Sequence, residues 1–312
     1  AEPHEAALPL LNQLTALPGD AEARQTFLRS LLRSTAADRF VLVKLAVAAF
    51  RAHDKREAIR LFDEASALGP LPVEGGALQL DLLIVAGRFA EALSLALDLV
   101  SRQPDRVDLV RRAILAAYMA NDVPVLVRLL ETGLERWPDD WFMVFRYVRS
   151  HAPMEVDRRL FARLQERAPT MRDDERWSFQ FALACLRHEH TRTALEILDR
   201  LSPNGPVAHM SEPLRRAMAA RPRDAWTNPR AVSNDPADDV QVFRRSDARA
   251  TLVVFAGVQG GLGYLPYSHA DVFIGAQTVN VVYLRDRNNR NFQTGVARLG
   301  ADEAATVAAL QR

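Results

Sequence analysis

Four glycines fall within seven residues at Gly257-Val258-Gln259-Gly260-Gly261-Leu262-Gly263. Glycine lets a backbone approach a ligand closely, and it also lets a chain turn tightly with no ligand at all. The spacing Gly257-x-x-Gly260-Gly261-x-Gly263 is not the dinucleotide-binding pattern, and no Gly-Lys-Ser/Thr follows to make a nucleotide phosphate loop. A second group, His188-Glu189-His190, could suggest a metal. Imidazoles at i and i+2 point apart on a helix, and the zinc-protease spacing is absent. The group reads as a polar turn between two helices. Cys185 falls at a helix-packing position and reads as a small core residue rather than a nucleophile. His269 and Asp271 are titratable without an assigned role. No Gly-x-Ser-x-Gly occurs in the chain. No catalytic residue, metal ligand or cofactor is assigned.

Composition narrows the function classes. Of 312 residues, 48% are apolar and 25% charged, the balance of an ordinary globular protein. The net charge of +1 gives no global field for nucleic acid or an anionic membrane. Lys44 and Lys55 are the only lysines. An arginine excess reflects either a GC-rich, bacterial coding bias or oxyanion recognition by guanidinium forks, and the interleaved Asp and Glu favour the first. One cysteine forbids an internal disulfide and fits a reducing, cytoplasmic compartment. No apolar run reaches the roughly 18 residues of a membrane span. The N-terminal Ala-Glu-Pro-His-Glu has no signal-peptide features and no methionine, and the last residues lie in an uncapped helical pattern. The expectation is a fragment or a processed chain.

The elements that must carry these residues are set by a period. Pro70, Pro104 and Pro138 stand 34 residues apart, each closing an amphipathic helix. A fixed period of this length implies helix pairs that must stack to bury their apolar faces. In residues 39–72, Leu42, Leu45, Ala46 and Ala49 mark one helix. Ala52-His53-Asp54-Lys55 breaks it, and Ala58, Leu61, Phe62 and Ala65 mark the next. The period shortens to 31 between Pro138 and Pro169 and returns over 173–206. Pro124 and Pro153 fall where second helices open, as proline allows. Residues 1–38 read as a degenerate leading unit with Leu8, Leu11 and Leu14, then Phe27, Leu28, Leu31 and Leu32. Trp137, Trp141, Phe142, Phe145 and Tyr147 gather at a junction, as core or as a partner-binding patch.

The array resembles the tetratricopeptide repeat over about 1–206. Ala46, Ala58, Phe62, Ala65 and Pro70 match its positions. Leu80, Ala92, Ala96, Leu99 and Pro104 follow, then Ile114, Leu126, Leu130, Gly133 and Pro138. Leu80 and Ile114 depart from its small-residue position. The resemblance implies a mostly α, helical-hairpin repeat solenoid that binds a protein or peptide partner in a groove lined by the first helix of each unit. The groove candidates are Phe40, Val43, Val47, Phe50, Asp81, Ile84, Val85, Arg111, Leu115, Tyr118 and Met119.

Six prolines between Pro203 and Pro236, with Asn204-Gly205 and Asn228-Pro229, read residues 207–238 as a linker containing a short helix, Pro213–Ala220. Beyond it, strands are expected from Val240 and over Thr251–Phe255 and Val279–Leu284. The run at 251–255 reads as buried on both faces. A helix opens at Asp302-Glu303. This order implies a parallel α/β sheet. Residues 239–312 resemble the opening of an α/β-hydrolase domain, with Phe255-Ala256-Gly257 and Val258 leading into its oxyanion loop and Tyr283-Leu284-Arg285-Asp286 ending the next strand. The resemblance implies Gly257, Val258, Gly260 and Gly261 as oxyanion-loop candidates, and a nucleophile beyond Arg312. The two readings are an interaction scaffold joined to an incomplete α/β module, and the N-terminal part of an esterase or acyl-transfer enzyme acting on a glycan or polysaccharide. A sugar-nucleotide transferase also fits the α/β order. An open sheet edge adds an expectation of self-association through residues 250–285.

Overall fold

The computed structural model describes Thr26 and residues 38–150, 152–257, 261–286, 292 and 294–311, with Arg223 described by its backbone alone. The leading unit expected from Leu8 to Leu32 otherwise lies outside the described residues. The chain is mostly helical and divides into two compact units, Ala1–Ala120 and Asn121–Arg312. Among the described residues no helix is long and apolar enough to cross a membrane.

In the first unit, α1 (Arg39–Arg51) pairs with α2 (Lys55–Ala67), and α3 (Val73–Val85) pairs with α4 (Phe89–Arg102). Next comes α5 (Val107–Ala120). Aspartates start two of these helices. Asp38 accepts the amides of Phe40 and Val41 at 2.7 and 3.2 Å, and Asp54 accepts that of Glu57 at 3.0 Å. Each such cap satisfies an amide that has no partner within the helix, and is worth about 1 kcal/mol. The turn inside each pair uses one left-handed residue, His53 (φ 63°) and then Gly87 (φ 75°), one period apart.

The positions that carry the repeat resemblance are the core. Ala46, Ala58, Phe62 and Ala65 are buried, as are Leu80, Ala92, Ala96, Leu99 and Ile114. Leu80 fills a position where the repeat pattern has a small residue, and close approach is supplied instead at Gly76. A Cβ there would stand 2.9 Å from Leu99 Cδ2.

The second unit continues with α6 (Val123–Arg136), α7 (Trp141–Val148), α8 (Met154–Arg167), α9 (Glu175–Arg187), α10 (Thr191–Arg200) and α11 (Ala208–Ala219). Asp122, Asp140 and Asp174 cap α6, α7 and α9. Pro124 lies in the first turn of α6, and Pro153 immediately precedes α8. The shortened period has a local cause, because α7 has only 8 residues where α6 and α8 have 14. Arg159, Arg163 and Arg167, one turn apart on α8, face Glu131, Glu135 and Asp139, which are also one turn apart. Glu131 and Glu135 lie on α6 and Asp139 in the turn after it, so these exposed pairs link α8 to α6 and its following turn. The helix expected at Pro213–Ala220 begins earlier, at Ala208. Pro213 lies inside this helix as its sixth residue, where it cannot donate to the His209 carbonyl one turn back.

The sheet comprises β1 (Val240–Phe243), β2 (Thr251–Phe255) and β3 (Asn280–Leu284), in the order β1-β3-β2. β2 and β3 are parallel, paired from Thr251↔Asn280 to Phe255↔Leu284, and are joined through α12 (Tyr267–Ile274). β1 runs antiparallel to β3, so the sheet is mixed and not wholly parallel as the element order implied. The expectation that β2 is buried on both faces also fails. It is an edge strand, with Leu252 41% and Phe255 50% exposed and only Val254 buried. Tyr267, Tyr283, Val254 and Val281 form the core against the sheet, together with Val232 from the proline-rich segment. α13 (Glu303–Leu310) is capped by Asp302, which accepts the Ala305 amide at 2.7 Å.

Candidate functional site

Two places in the molecule could act on something else. The first is the face of the first unit formed by α1, α3 and α5, the neighbouring first helices of successive pairs. Phe50, Ile84 and Tyr118 occupy equivalent positions one period apart, and each is half-buried. Val47, Asp81 and Leu115 form a second such row. Val85, beside Ile84, is 65% exposed. Not every groove candidate belongs to an open face. Val43 is buried and packs where a Cβ on Gly75 would meet its Cγ1 at 3.0 Å. Asp81 is held by Arg112, whose Nε and Nη2 donate to its two oxygens at 3.0 and 3.2 Å. Phe40 is half-buried, with the Arg39 guanidinium 4.8 Å above its ring, and Arg111 and Met119 are half-buried as well.

The second place is in the second unit, at the carboxyl ends of the parallel strands. The chain leaves β2 at Phe255 and returns through a tight turn closed by mutual amide-to-carbonyl bonds between Leu262 and Leu265. The glycines have definite tasks here. Gly263 takes φ 62°, and a Cβ on Gly261 would meet the Leu265 carbonyl oxygen at 2.3 Å. The Gly257 amide donates to the Gly261 carbonyl at 2.8 Å, so it is already engaged within the loop. Val258 and Gly260 lie outside the described residues.

This turn, the residue after β3, α9, and Val148, Ser150, Asn234 and Pro236 border an open-mouthed cavity of about 40 Å³. Its lining includes Leu183, Arg187, Asn234, Gly261, Tyr264 and Arg285. Arg285 donates to the carbonyls of Ser233, Asp235 and Asp238 at 2.8, 2.8 and 2.9 Å, and so ties the proline-rich segment to the sheet. Burial pushes its pKa down to about 10, which leaves it charged at neutral pH. Asn234 donates to the Arg187 carbonyl at 3.0 Å and to Ser268 Oγ at 2.7 Å.

Arg187 belongs to a buried network that the sequence did not suggest. Its Nη2 lies 3.1 Å from Asp157 Oδ1, and its guanidinium also donates to the carbonyls of Tyr147, Val148 and Ser150. His188 Nε2 stands 3.0 Å from Asp157 Oδ2, and its ring stacks on Phe161 at 4.1 Å. Burial alone would raise the Asp157 carboxyl, but Arg187 and His188 outweigh it and hold it below the usual range. His188 is thus committed to the core, and Glu189 (φ 61°) makes the turn to α10.

The remaining sequence candidates are placed as follows. Cys185 is buried, and burial pushes its thiol up to about 12. His269 Nε2 is 2.8 Å from Thr191 Oγ1 and its Nδ1 is 3.1 Å from Ser268 Oγ, and burial lowers the imidazole to about 4. Asp271 is engaged by Arg230 and the Tyr283 hydroxyl. Of the junction aromatics, Tyr147 is fully buried, while Trp141, Phe142 and Phe145 are half-buried and meet edge to face or tilted.

The solved structures similar to the chain include the following three. The 41-end form of MamA from Desulfovibrio magneticus RS-1 is 13% identical, with a TM-score of 0.40 over 62% of this chain and 91% of that one. YrrB, described as a TPR protein with an unusual peptide-binding site, is 15% identical, with a TM-score of 0.43 over 60% and 97%. TTC0263, described as a thermophilic TPR protein in Thermus thermophilus, is 14% identical, with a TM-score of 0.39 over 59% and 100%. No family model matches the chain, and no curated protein matches it.

Proposed function

We propose that this chain is a helical-repeat scaffold that binds a protein or peptide segment along the face of α1, α3 and α5. The observation that carries this reading is the row Phe50–Ile84–Tyr118, one large half-buried side chain per repeat. Such side chains retain apolar area that a partner can finish burying, at about 25 cal/mol per Å². The exposed Val85 extends the row toward solvent. The partner is an apolar and aromatic segment, because the acid at the centre of the face, Asp81, is already held by Arg112. A peptide display selection against the full chain tests this. Selected peptides should be rich in apolar and aromatic residues and should lose at least about tenfold in affinity toward Ile84→Asp. Selection of purely charged peptides, indifferent to that change, would refute it.

A second reading concerns the α/β part, the opening of a hydrolase-type esterase or acyl-transfer module acting on a glycan or polysaccharide. It is supported by the parallel β2–α12–β3 crossover with a glycine turn at the carboxyl end of β2, where ligands of open α/β sheets bind. If the coding sequence after Arg312 holds no strand followed by Gly-x-Ser-x-Gly within about 10–20 residues, a usual connection length, this reading fails. The exposed Leu252 and Phe255 on edge strand β2 favour pairing with a second copy. Strictly monomeric light scattering at high concentration would exclude that pairing.

A further inference from the structure

In open α/β sheets, ligands bind just beyond the carboxyl ends of the strands. Here β2 ends at Phe255 and β3 at Leu284, and the segments that follow them, at Gly261 and Arg285, reach the same cavity of about 40 Å³. The opposite wall is α9, which contributes Leu183 and Arg187. Among the described residues, the only charged side chains on the lining are these two arginines. Neither is a surface residue, since the Arg187 side chain is 11% exposed and Arg285 is 2% exposed. Two buried guanidinium groups on one small cavity repel each other, and Arg187 adds to the effect of burial in lowering the pKa of Arg285.

The donors are fixed in place. Arg285 is held by three carbonyls, and Arg187 by Asp157 and three more. The Arg187 Nε is buried and has no hydrogen-bond acceptor among the described residues. Asp157 balances Arg187 but is not part of the lining. A cavity needs roughly 10–15 Å³ to hold one water, and about 40 Å³ exceeds that several-fold, which leaves room for a compact oxyanion. Guanidinium groups match both carboxylate and phosphate.

We propose that this cavity binds a small oxyanion, a carboxylate or phosphate group, between Arg187 and Arg285. The inference does not depend on a hydrolase-type activity, nor on the repeat face as a docking site.

The test is thermal unfolding of the full chain in sodium phosphate, sodium acetate and sodium chloride at equal ionic strength and pH. The expected result is a saturable rise in the unfolding midpoint of about 5 °C or more in phosphate or acetate over chloride. Whichever of the two acts identifies the preferred oxyanion. Arg187→Lys keeps a positive charge beside Asp157 but loses the fork, and should weaken the effect at least about tenfold in half-saturating concentration. As a measurement that needs no variant, the Arg187 Nε–H resonance of the full chain should shift with 1:1 saturation during the same titration. Equal midpoints in all three salts with an unmoved Arg187 resonance would overturn the proposal. So would a midpoint rise that persists undiminished in Arg187→Lys.

Discussion

Arg187 and Asp157 meet at 3.1 Å inside the helical part of the second unit, with Asp157 fully buried and His188 closing on its other oxygen at 3.0 Å. A buried pair is costly to break, because removing one partner leaves the other charge without compensation. Asp157→Asn should therefore lower the unfolding free energy by about 3–5 kcal/mol in denaturant titration. A loss below about 1 kcal/mol would show that the pair is solvated in solution.

The turn residues provide a pair of substitutions with opposite signs. Gly87 has φ 75°, and a Cβ there would touch nothing within 4 Å, so Gly87→Ala isolates the backbone cost. It should destabilise by about 1 kcal/mol. His53 holds the equivalent position with φ 63° and is exposed, so His53→Gly should stabilise by up to about 1 kcal/mol. Urea midpoints at constant slope are the readout, and changes of the same sign would contradict the equivalence.

His269 makes stability fall on acidification. Its folded pKa of about 4 lies below the unfolded value of 6.5, so the unfolded chain binds more protons between those limits. The stabilising contribution is complete above pH 6.5 and is lost as pH drops toward 4, on the order of 3 kcal/mol in all. Unfolding curves of the native chain and His269→Asn at about pH 7 and about pH 4.5 should converge at the lower pH. Parallel curves would mean that His269 is hydrated.

Cys185 should resist thiol reagents. It is buried on α9, and its thiol is pushed up to about 12, so the reactive thiolate is scarce at neutral pH. Labelling with an aromatic disulfide should proceed at the rate of unfolding and accelerate in denaturant. Immediate labelling of the folded chain would place the sulfur at the surface.

The repeats could be read from sequence because each packing position demands a narrow range of side-chain volume. Ala58, Ala92 and Ala194 are buried where helices approach closely, so their period is visible. The left-handed turn residues keep the same period, at 53, 87 and 121 and two periods later at 189. Gly87, Asn121 and His53 are residue types enriched in that conformation, whereas nothing in the sequence marks Glu189. The antiparallel direction of β1 leaves no trace in a four-residue strand. The exposure of Leu252 and Phe255 follows from the edge position of β2, which its apolar run does not report. The cavity was the least legible feature, because Arg187 and Arg285 are brought together only by the fold. One signal was available: Arg285 immediately follows a parallel strand, where ligand-binding residues concentrate.

Whether the row Phe50–Ile84–Tyr118 is a binding face is read out by calorimetric titration of a display-selected peptide into the full chain. Binding at 1:1 with a negative heat-capacity change is expected, weakened at least about tenfold by either Ile84→Asp or Tyr118→Asp in chains that still unfold cooperatively. Unchanged affinity in both variants would place the binding face elsewhere on the molecule.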